Sequence, residues 1–322
     1  VAAVARAECS ASRPRADVQE ERCVAATQRR HLLAGLLAGI VTAMLWGSWA
    51  VVSRIGVTGT LGIWDVCLLR YLATVLALLP WLVRRGTFSR DGIMGVRWPA
   101  VATLALTGGL PYMLVVLAGL AEAPASRHAV FGSGLMPLIA LALSVLLLDE
   151  RPSARQILGT LVTFAGVLLT VLQALGASTT PLGYGDVLFV VSALLWAGYT
   201  VAARVHRVPA LPAVVVLTLT GLVGTLAVYV PVFGLRFLAA PWTEILGQAF
   251  YQGIVTGLFG TLLYMRTGEL LGASRAALFV ALVPPMVTLF AWAALGEVPT
   301  ALSLAGVALV SLGMIVAVLR RA

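Results

Sequence analysis

Arg70 is the residue whose position most needs a chemical reason. It lies inside an apolar run at 61–83. A guanidinium within hydrocarbon costs at least a few kcal/mol on insertion scales, so it must face protein or a water-filled cavity. There it could hold an anionic or carboxylate solute. Alternatively the run begins after Asp65, and Arg70 is shallow enough for its stem to snorkel. Asp65 is five residues away, about 140° around a helix, so the two are not aligned for a direct bridge.

A second set of candidates is aromatic. Trp46 and Trp49 lie in one apolar run, Trp196 and Tyr199 in another. At the helical rise Trp196 is about 14 Å deep, well below an interfacial belt. These four could form an aromatic wall for an organic solute, or simply pack the core. Tyr112, Phe131, Gln252, Tyr264 and Phe279 could join such a wall. Pro137 and Pro285 also lie about 14 Å into their runs. A proline there frees a backbone carbonyl that must face protein or water, which suits a hinge or cavity wall as well as a kink tolerated for packing.

The carboxylates suggest less chemistry. Gly183-Tyr184-Gly185-Asp186 matches the G-x-G-D of intramembrane aspartyl proteases. That chemistry needs a second carboxylate close enough to share a proton, and Asp65 is the other Asp within reach of the membrane. Asp186 also sits at a helix start, where Asp caps free amides, and capping is the favoured reading. Glu150 and Glu297 end apolar runs and are expected to cap or position the next helix. Arg266 and Glu269 are spaced to pair on one helix face. There is no H-E-x-x-H, P-loop or G-x-S-x-G, and the three cysteines, Cys9, Cys23 and Cys67, have no metal spacing or disulfide framework. Neither cofactor nor metal is expected.

The elements that must hold these residues follow from composition. The chain has 322 residues, 60% hydrophobic and 11% charged, with mean hydropathy +1.00. A soluble domain cannot hide that much apolar surface. The runs are each roughly 20 residues, enough to cross about 30 Å of hydrocarbon as helix. A barrel strand would be about 10 residues with alternating polarity. Ten spans are expected: 32–53, 61–83, 98–120, 128–148, 156–176, 184–203, 210–233, 245–265, 276–296 and 300–319. The weakest is 210–233, with Pro209 and Pro212 at its entry and Pro231 at its exit.

The spans repeat. Ala125, Arg127 and Pro137 recur 148 residues on as Ala273, Arg275 and Pro285. Glu150, Pro152, Gly159 and Gly166 recur 147 residues on as Glu297, Pro299, Gly306 and Gly313. Trp46 and Trp196, 150 apart, mark the same duplication. The chain is therefore one five-span unit written twice: 31–175 and 176–322, after a polar 1–30 segment expected to be a disordered cytoplasmic tail. Val1 suggests a GTG start read literally or a start placed too far upstream. Gly35/Gly39 and the heptad-spaced glycine pairs should permit close helix packing.

The net charge is +9, with all of the positive charge from arginine because the chain has no Lys; it also has no Asn. A G+C-rich genome explains that bias. The arginines gather in the tail, the even-numbered gaps and the C-terminus; the odd gaps hold Arg54, Arg127 and Arg236. This distribution predicts orientation rather than nucleic-acid binding and places both termini in the cytoplasm. Five spans per unit then make the two halves inverted, the arrangement of secondary transporters with a midplane site.

At this point the chain resembles a known family. Ala125–Leu172 and Ala273–Leu319, each with an Ala-Ser pair, a mid-helix Pro, an acidic knot and Gly-rich packing helices, look like the EamA domain of the drug/metabolite transporter superfamily. Leu69-Arg70-Tyr71 and Leu194-Leu195-Trp196-Ala197 fit the pattern too, and Asp149 stands where Gly is usual. The resemblance covers about residues 32–319. It implies an all-α polytopic protein of ten transmembrane helices in two inverted five-helix repeats. It also implies export or exchange of small metabolites, amino acids or drugs, with spans one, three, four, six, eight and nine lining the cavity. Residues 32–53 contain no carboxylate, so proton antiport of the small-multidrug type is not expected; facilitated export or exchange is. The expected setting is a bacterial plasma membrane, and the expected partners are lipid and a small organic solute. The rival readings are a non-transporting receptor or scaffold, and the aspartyl protease.

Overall fold

The computed structural model describes residues 17–85, 87–148, 151–176, 182–271 and 279–318. Asp149, Glu150, Ala273, Ser274 and Arg275 fall outside these, as do 1–16 and 319–322. Each of the ten expected spans contains a helix: α1 (Asp17–Thr58), α2 (Ile63–Arg85), α3 (Trp98–Glu122), α4 (Ala125–Leu148), α5 (Ala154–Gly176), α6 (Tyr184–Val205), α7 (Ala210–Phe233), α8 (Trp242–Leu271), α9 (Val283–Leu295) and α10 (Ala301–Val318). Seven are long and apolar enough to cross a membrane; α9 and α10 are shorter apolar helices, and α8 is one run in three pieces. The second gap holds a small antiparallel ribbon of two-residue strands, β1 (Phe88–Ser89), β2 (Gly92–Ile93) and β3 (Val96–Arg97).

The helix α1 departs from expectation at its start. It runs back to Asp17, so residues 17–30 of the segment expected to be disordered are helical. Adding a residue to an existing helix fixes one set of dihedrals and gains one hydrogen bond, whereas starting a helix is costly. The membrane span supplies the nucleus, and Glu, Gln, Ala and Arg propagate it.

Several spans are interrupted, each for a legible reason. The helix α3 breaks at Gly109, immediately before Leu110-Pro111. In α4 a π-helical stretch, His128–Gly134, precedes Pro137; widening the turn there relieves the clash of the proline ring with the preceding carbonyls. Its repeat partner breaks outright. Ala281 and Leu282 form a turn, and α9 restarts with Pro284 and Pro285 in its first turn. Prolines are harmless there because the first amides of a helix have no intrahelical partner. The expectation of a continuous helix through Pro285 is thus corrected. The weakest expected span, α7, is unbroken, with Pro212 in its first turn and Pro231 in its last.

The two halves pack by exchange. The helix α1 lies against α8 and α9, and its counterpart α6 lies against α3 and α4. The matched pairs α5–α10 and α2–α7 pack on each other. In the first, Gly159 meets Gly313 and Ala317, and Gly166 meets Gly306 and Val310, so rising numbers in α5 meet falling numbers in α10. In the second, Asp65 meets Tyr229 and Tyr71 meets Gly221. Both pairs are antiparallel. A two-fold axis that turns a helix into its own antiparallel neighbour lies across the helices, so the repeats are inverted. The heptad glycines allow the closest contact: a Cβ on Gly313 would stand 2.2 Å from Thr163 Oγ1 and 2.5 Å from the Gly159 carbonyl oxygen. Without water to drive association, such backbone approach is how helices cohere in lipid.

Candidate functional site

Three groups of residues stand out, and two lie in the bundle interior. The first is built on the π-helical stretch Ala249–Gly260 of α8. Gly253 and Gly257 bring α2 against it; a Cβ on Gly253 would lie 2.5 Å from Ala73 Cβ and 2.9 Å from the Arg70 carbonyl oxygen. Thr74 Oγ1 donates to the Gly253 carbonyl at 2.9 Å, fixing the register. The widened turn leaves the Gln252 carbonyl able to accept from Arg70 Nη1 at 3.0 Å and from Thr256 Oγ1 at 3.1 Å. Longer Arg70 contacts reach Gln252 Oε1 at 3.4 Å and Thr256 Oγ1 at 3.5 Å. The fully buried Gln252 side chain accepts from Trp49 Nε1 at 2.7 Å and donates to Ser53 Oγ at 2.9 Å and Gln248 Oε1 at 3.2 Å. The Arg70 guanidinium stands 6.0 Å over the Trp49 ring, at the edge of cation–π range. Three candidates, Trp49, Arg70 and Gln252, are thus one cluster joining both halves.

The second group is a matched pair of aromatic dyads. Trp46 of α1 stacks on Tyr264 of α8 with centroids 5.0 Å apart and planes at 42°. Trp196 of α6 stacks on Tyr112 of α3 at 4.7 Å and 45°. Each repeat's tryptophan therefore meets a tyrosine from the third span of the other half, in nearly the same geometry. Tyr199 extends the second dyad, 4.9 Å from Trp196. The aromatic candidates form two separate stacks rather than one wall. Phe279 lies elsewhere, its ring over Gly39 at the α1–α9 contact. Phe131 is buried in the π stretch of α4. Pro137 follows that stretch and Pro285 opens α9, both partly buried.

Sequence reasoning missed His128. It is 4% exposed, in edge contact with Trp49 at 5.9 Å and Phe189 at 5.3 Å. Neither ring nitrogen has a hydrogen-bond partner among the described residues. A histidine at the head of an apolar run was the available signal. Gln248, Ser53 and Thr256 were also missed; polar residues of that kind are unremarked in a span until their neighbours are known.

The third group closes one end of the bundle. Arg54 pairs with Glu297, Nε to Oε1 at 3.5 Å, and donates to the carbonyls of Leu120 (2.7 Å) and Ala123. Glu297 accepts from the amides of Ala125 (3.0 Å) and Ser126 (2.9 Å) and from Ser126 Oγ (2.7 Å). It was expected to serve the helix after it, yet it caps α4, where the free amides and the positive end of the helix dipole lie. Arg127 pairs with Asp186 at 2.7 Å. Asp65 pairs with Arg236 at 3.5 Å and accepts from Tyr229 Oη and the Gly62 amide. Thr60 Oγ1 donates to Glu244 at 2.6 Å. All three odd-gap arginines are therefore ion-paired, and each pair joins the two halves. At the other end, Arg90, Arg97, Arg151, Arg155, Arg207 and Arg266 are exposed. Arg266 pairs with Glu269 as the spacing predicts, at 2.9 Å and with both side chains 60% exposed.

The carboxylates have structural employment. Asp186 accepts from the Gly183 amide at 2.9 Å as well as from Arg127, which is the capping role. Asp65 is engaged by Tyr229, Gly62 and Arg236, not by Arg70. Neither shares a proton with the other. Among the described residues no group of His, Cys, Asp and Glu is arranged to hold a metal.

The fold and the sequence have counterparts among known proteins. A solved crystal structure matches 88% of this chain and 96% of its own length at TM-score 0.59 and 23% identity, which is a likeness of fold. The uncharacterized transporter YyaM of Bacillus subtilis (strain 168) is 28% identical over 193 residues, 57% of this chain and 61% of that protein. The EamA-like transporter family model matches twice, at residues 33–172 and 183–319, one match for each inverted half. With both halves matched, the chain belongs to the EamA-like transporter family.

Proposed function

We propose that the protein is a secondary transporter that exports or exchanges a small organic solute by alternating access, its halves rocking about the central cluster. The ion-paired end is the outer gate, and both termini are cytoplasmic. The observation that carries this is the set of three ion pairs, Arg54–Glu297, Arg127–Asp186 and Arg236–Asp65, each spanning the two halves at one end. Separating the halves there requires breaking all three. The arginines exposed at the opposite end, Arg90, Arg97, Arg151, Arg155, Arg207 and Arg266, support the same orientation, because cytoplasmic loops carry the excess of positive residues. Asp186 meets Arg127 and the Gly183 amide rather than a second carboxylate, which favours transport over proteolysis.

The test has two steps. Cells overproducing the protein are screened for growth in the presence of metabolites and toxic analogues, and a solute whose tolerance shifts is followed in everted vesicles. Then Arg54→Cys and Glu297→Cys, in a background where the native cysteines are replaced, are bridged with a bifunctional thiol reagent. Bridging should stop flux, and reductant should restore it. Flux that persists when the bridge is complete refutes the gate; no solute moved by any preparation refutes transport. Deleting residues 1–30 should leave flux intact, whereas a scaffold acting through that segment would lose its function.

A further inference from the structure

Resting on the transporter reading, we infer that Arg70 is the substrate's anchor and that the solute is a small organic anion: a carboxylate with an apolar or aromatic body. Arg70 stands seven residues into α2, about 10 Å below the ion-paired end, in a region where charge is expensive. A guanidinium has five N–H donors in a planar fork. Here Nη1 makes every hydrogen bond the side chain has, one at 3.0 Å and two longer. Among the described residues Nε and Nη2 have no hydrogen-bond partner, and Arg70 is only partly buried, so that edge of the fork is left to an outside acceptor.

Among the described residues no carboxylate is ion-paired with Arg70. Among the described residues, the groups that interact electrostatically with Arg70 include Tyr71, Tyr112 and Cys67, all neutral in their ordinary state. The nearest acid along α2, Asp65, is taken by Arg236 and Tyr229. The odd-gap arginines each have an acid, whereas Arg70, inside α2, has none within ion-pair distance among the described residues. A cation held in a membrane protein by backbone and amide oxygens, with two of its nitrogens unpartnered among the described residues, is suited to receive an external anion. Two parallel N–H donors match a carboxylate's two oxygens.

The surroundings select an organic anion over a halide. Trp49 lies under the guanidinium, and Tyr112 begins the stack that continues through Trp196 to Tyr199. These rings offer an apolar, flat surface adjoining the charge. The arrangement is also one-sided. The repeat counterpart of α2, α7, contains no charged residue, so the inverted halves supply two aromatic dyads but a single cation. One anion per transport cycle follows.

The test uses purified full-length protein in detergent. Benzoate, phenylacetate and indole-3-acetate are compared with their neutral amides, with amines of the same size, and with KCl at equal concentration, reading the thermal unfolding midpoint. At least one carboxylate should raise the midpoint saturably, while its amide, its amine and chloride do not. Arg70→Gln, which removes the charge and the fork, should weaken that carboxylate about 10- to 100-fold. Arg70→Lys, which keeps the charge but not the fork, should fall between. The unliganded midpoints of both variants show that they fold. Equal stabilisation by the amides or by chloride, unchanged affinity in Arg70→Gln, or no response to any carboxylate overturns the inference. Flux is measured separately in proteoliposomes. Carboxylate binding without flux leaves the site standing and sinks transport; flux of a neutral or cationic solute that survives Arg70→Gln leaves transport standing and sinks the anion site.

Discussion

Replacing Glu297 with Gln tests the gate with the least change of shape. The carboxylate receives two backbone amides and one hydroxyl at 2.7–3.0 Å and stands 3.5 Å from Arg54 Nε, with its side chain 16% exposed. Gln keeps one oxygen acceptor. Its other terminal atom becomes an NH2 donor facing the α4 amides, which are donors themselves. Hydrogen bonds to a charged group contribute about 1.5–3 kcal/mol each, and removing one member of a buried ion pair costs about 3–5 kcal/mol. Arg54 is not wholly orphaned, because it retains the Leu120 and Ala123 carbonyls, and the site is partly exposed. The net loss from the closed state is therefore about 2–3 kcal/mol, a shift of about 30- to 160-fold toward the open one. Spin labels at Thr58→Cys and Val298→Cys, both exposed positions near the pair, report the separation of α1 from α9 by double electron–electron resonance. The parent should give one short-distance population in detergent, and Glu297→Gln should add a longer one. An unchanged distribution in a folded Glu297→Gln protein would refute the reasoning that this ion pair holds the end shut.

Two further substitutions probe the scaffold. At Gly313 a methyl group would meet Thr163 Oγ1 at 2.2 Å and the backbone nitrogen of Thr163 at 2.4 Å, so Gly313→Ala should push α5 and α10 apart and destabilise by about 1–3 kcal/mol. Gly247→Ala, with nothing within 4 Å of the new carbon, should be neutral or stabilising by up to about 1 kcal/mol; thermal melts of the two variants check the contrast. Tyr229→Phe removes a hydroxyl that donates to Asp65 and accepts from the Phe237 amide at 3.2 Å. Both groups are left short of a partner, and the expected loss is about 1–3 kcal/mol, read as a lower melting midpoint.

Composition, periodicity and internal repetition determined much of this protein without coordinates. Runs of about 20 apolar residues have one solution in a bilayer, the helix, and an odd number of spans per repeat forces inversion. The heptad glycines at 159, 166, 306 and 313 were readable as packing sites because small residues are what lets helices touch in lipid. The Arg266–Glu269 pair and the Asp186 cap were legible for the same kind of reason, since both are local and helix geometry alone sets their distances. The pairing of Trp46 with Tyr264 and of Trp196 with Tyr112 was not legible, because each joins spans from opposite halves. Tertiary structure also decided that Glu297 caps α4 rather than the helix beside it in sequence, and that Arg70 meets a π-turn of α8 instead of Asp65. These contacts depend on how inverted halves interlock, and the positions they join are 171 and 182 residues apart. No local periodicity carries information over that range; only the packed bundle places those atoms within 3 Å of one another.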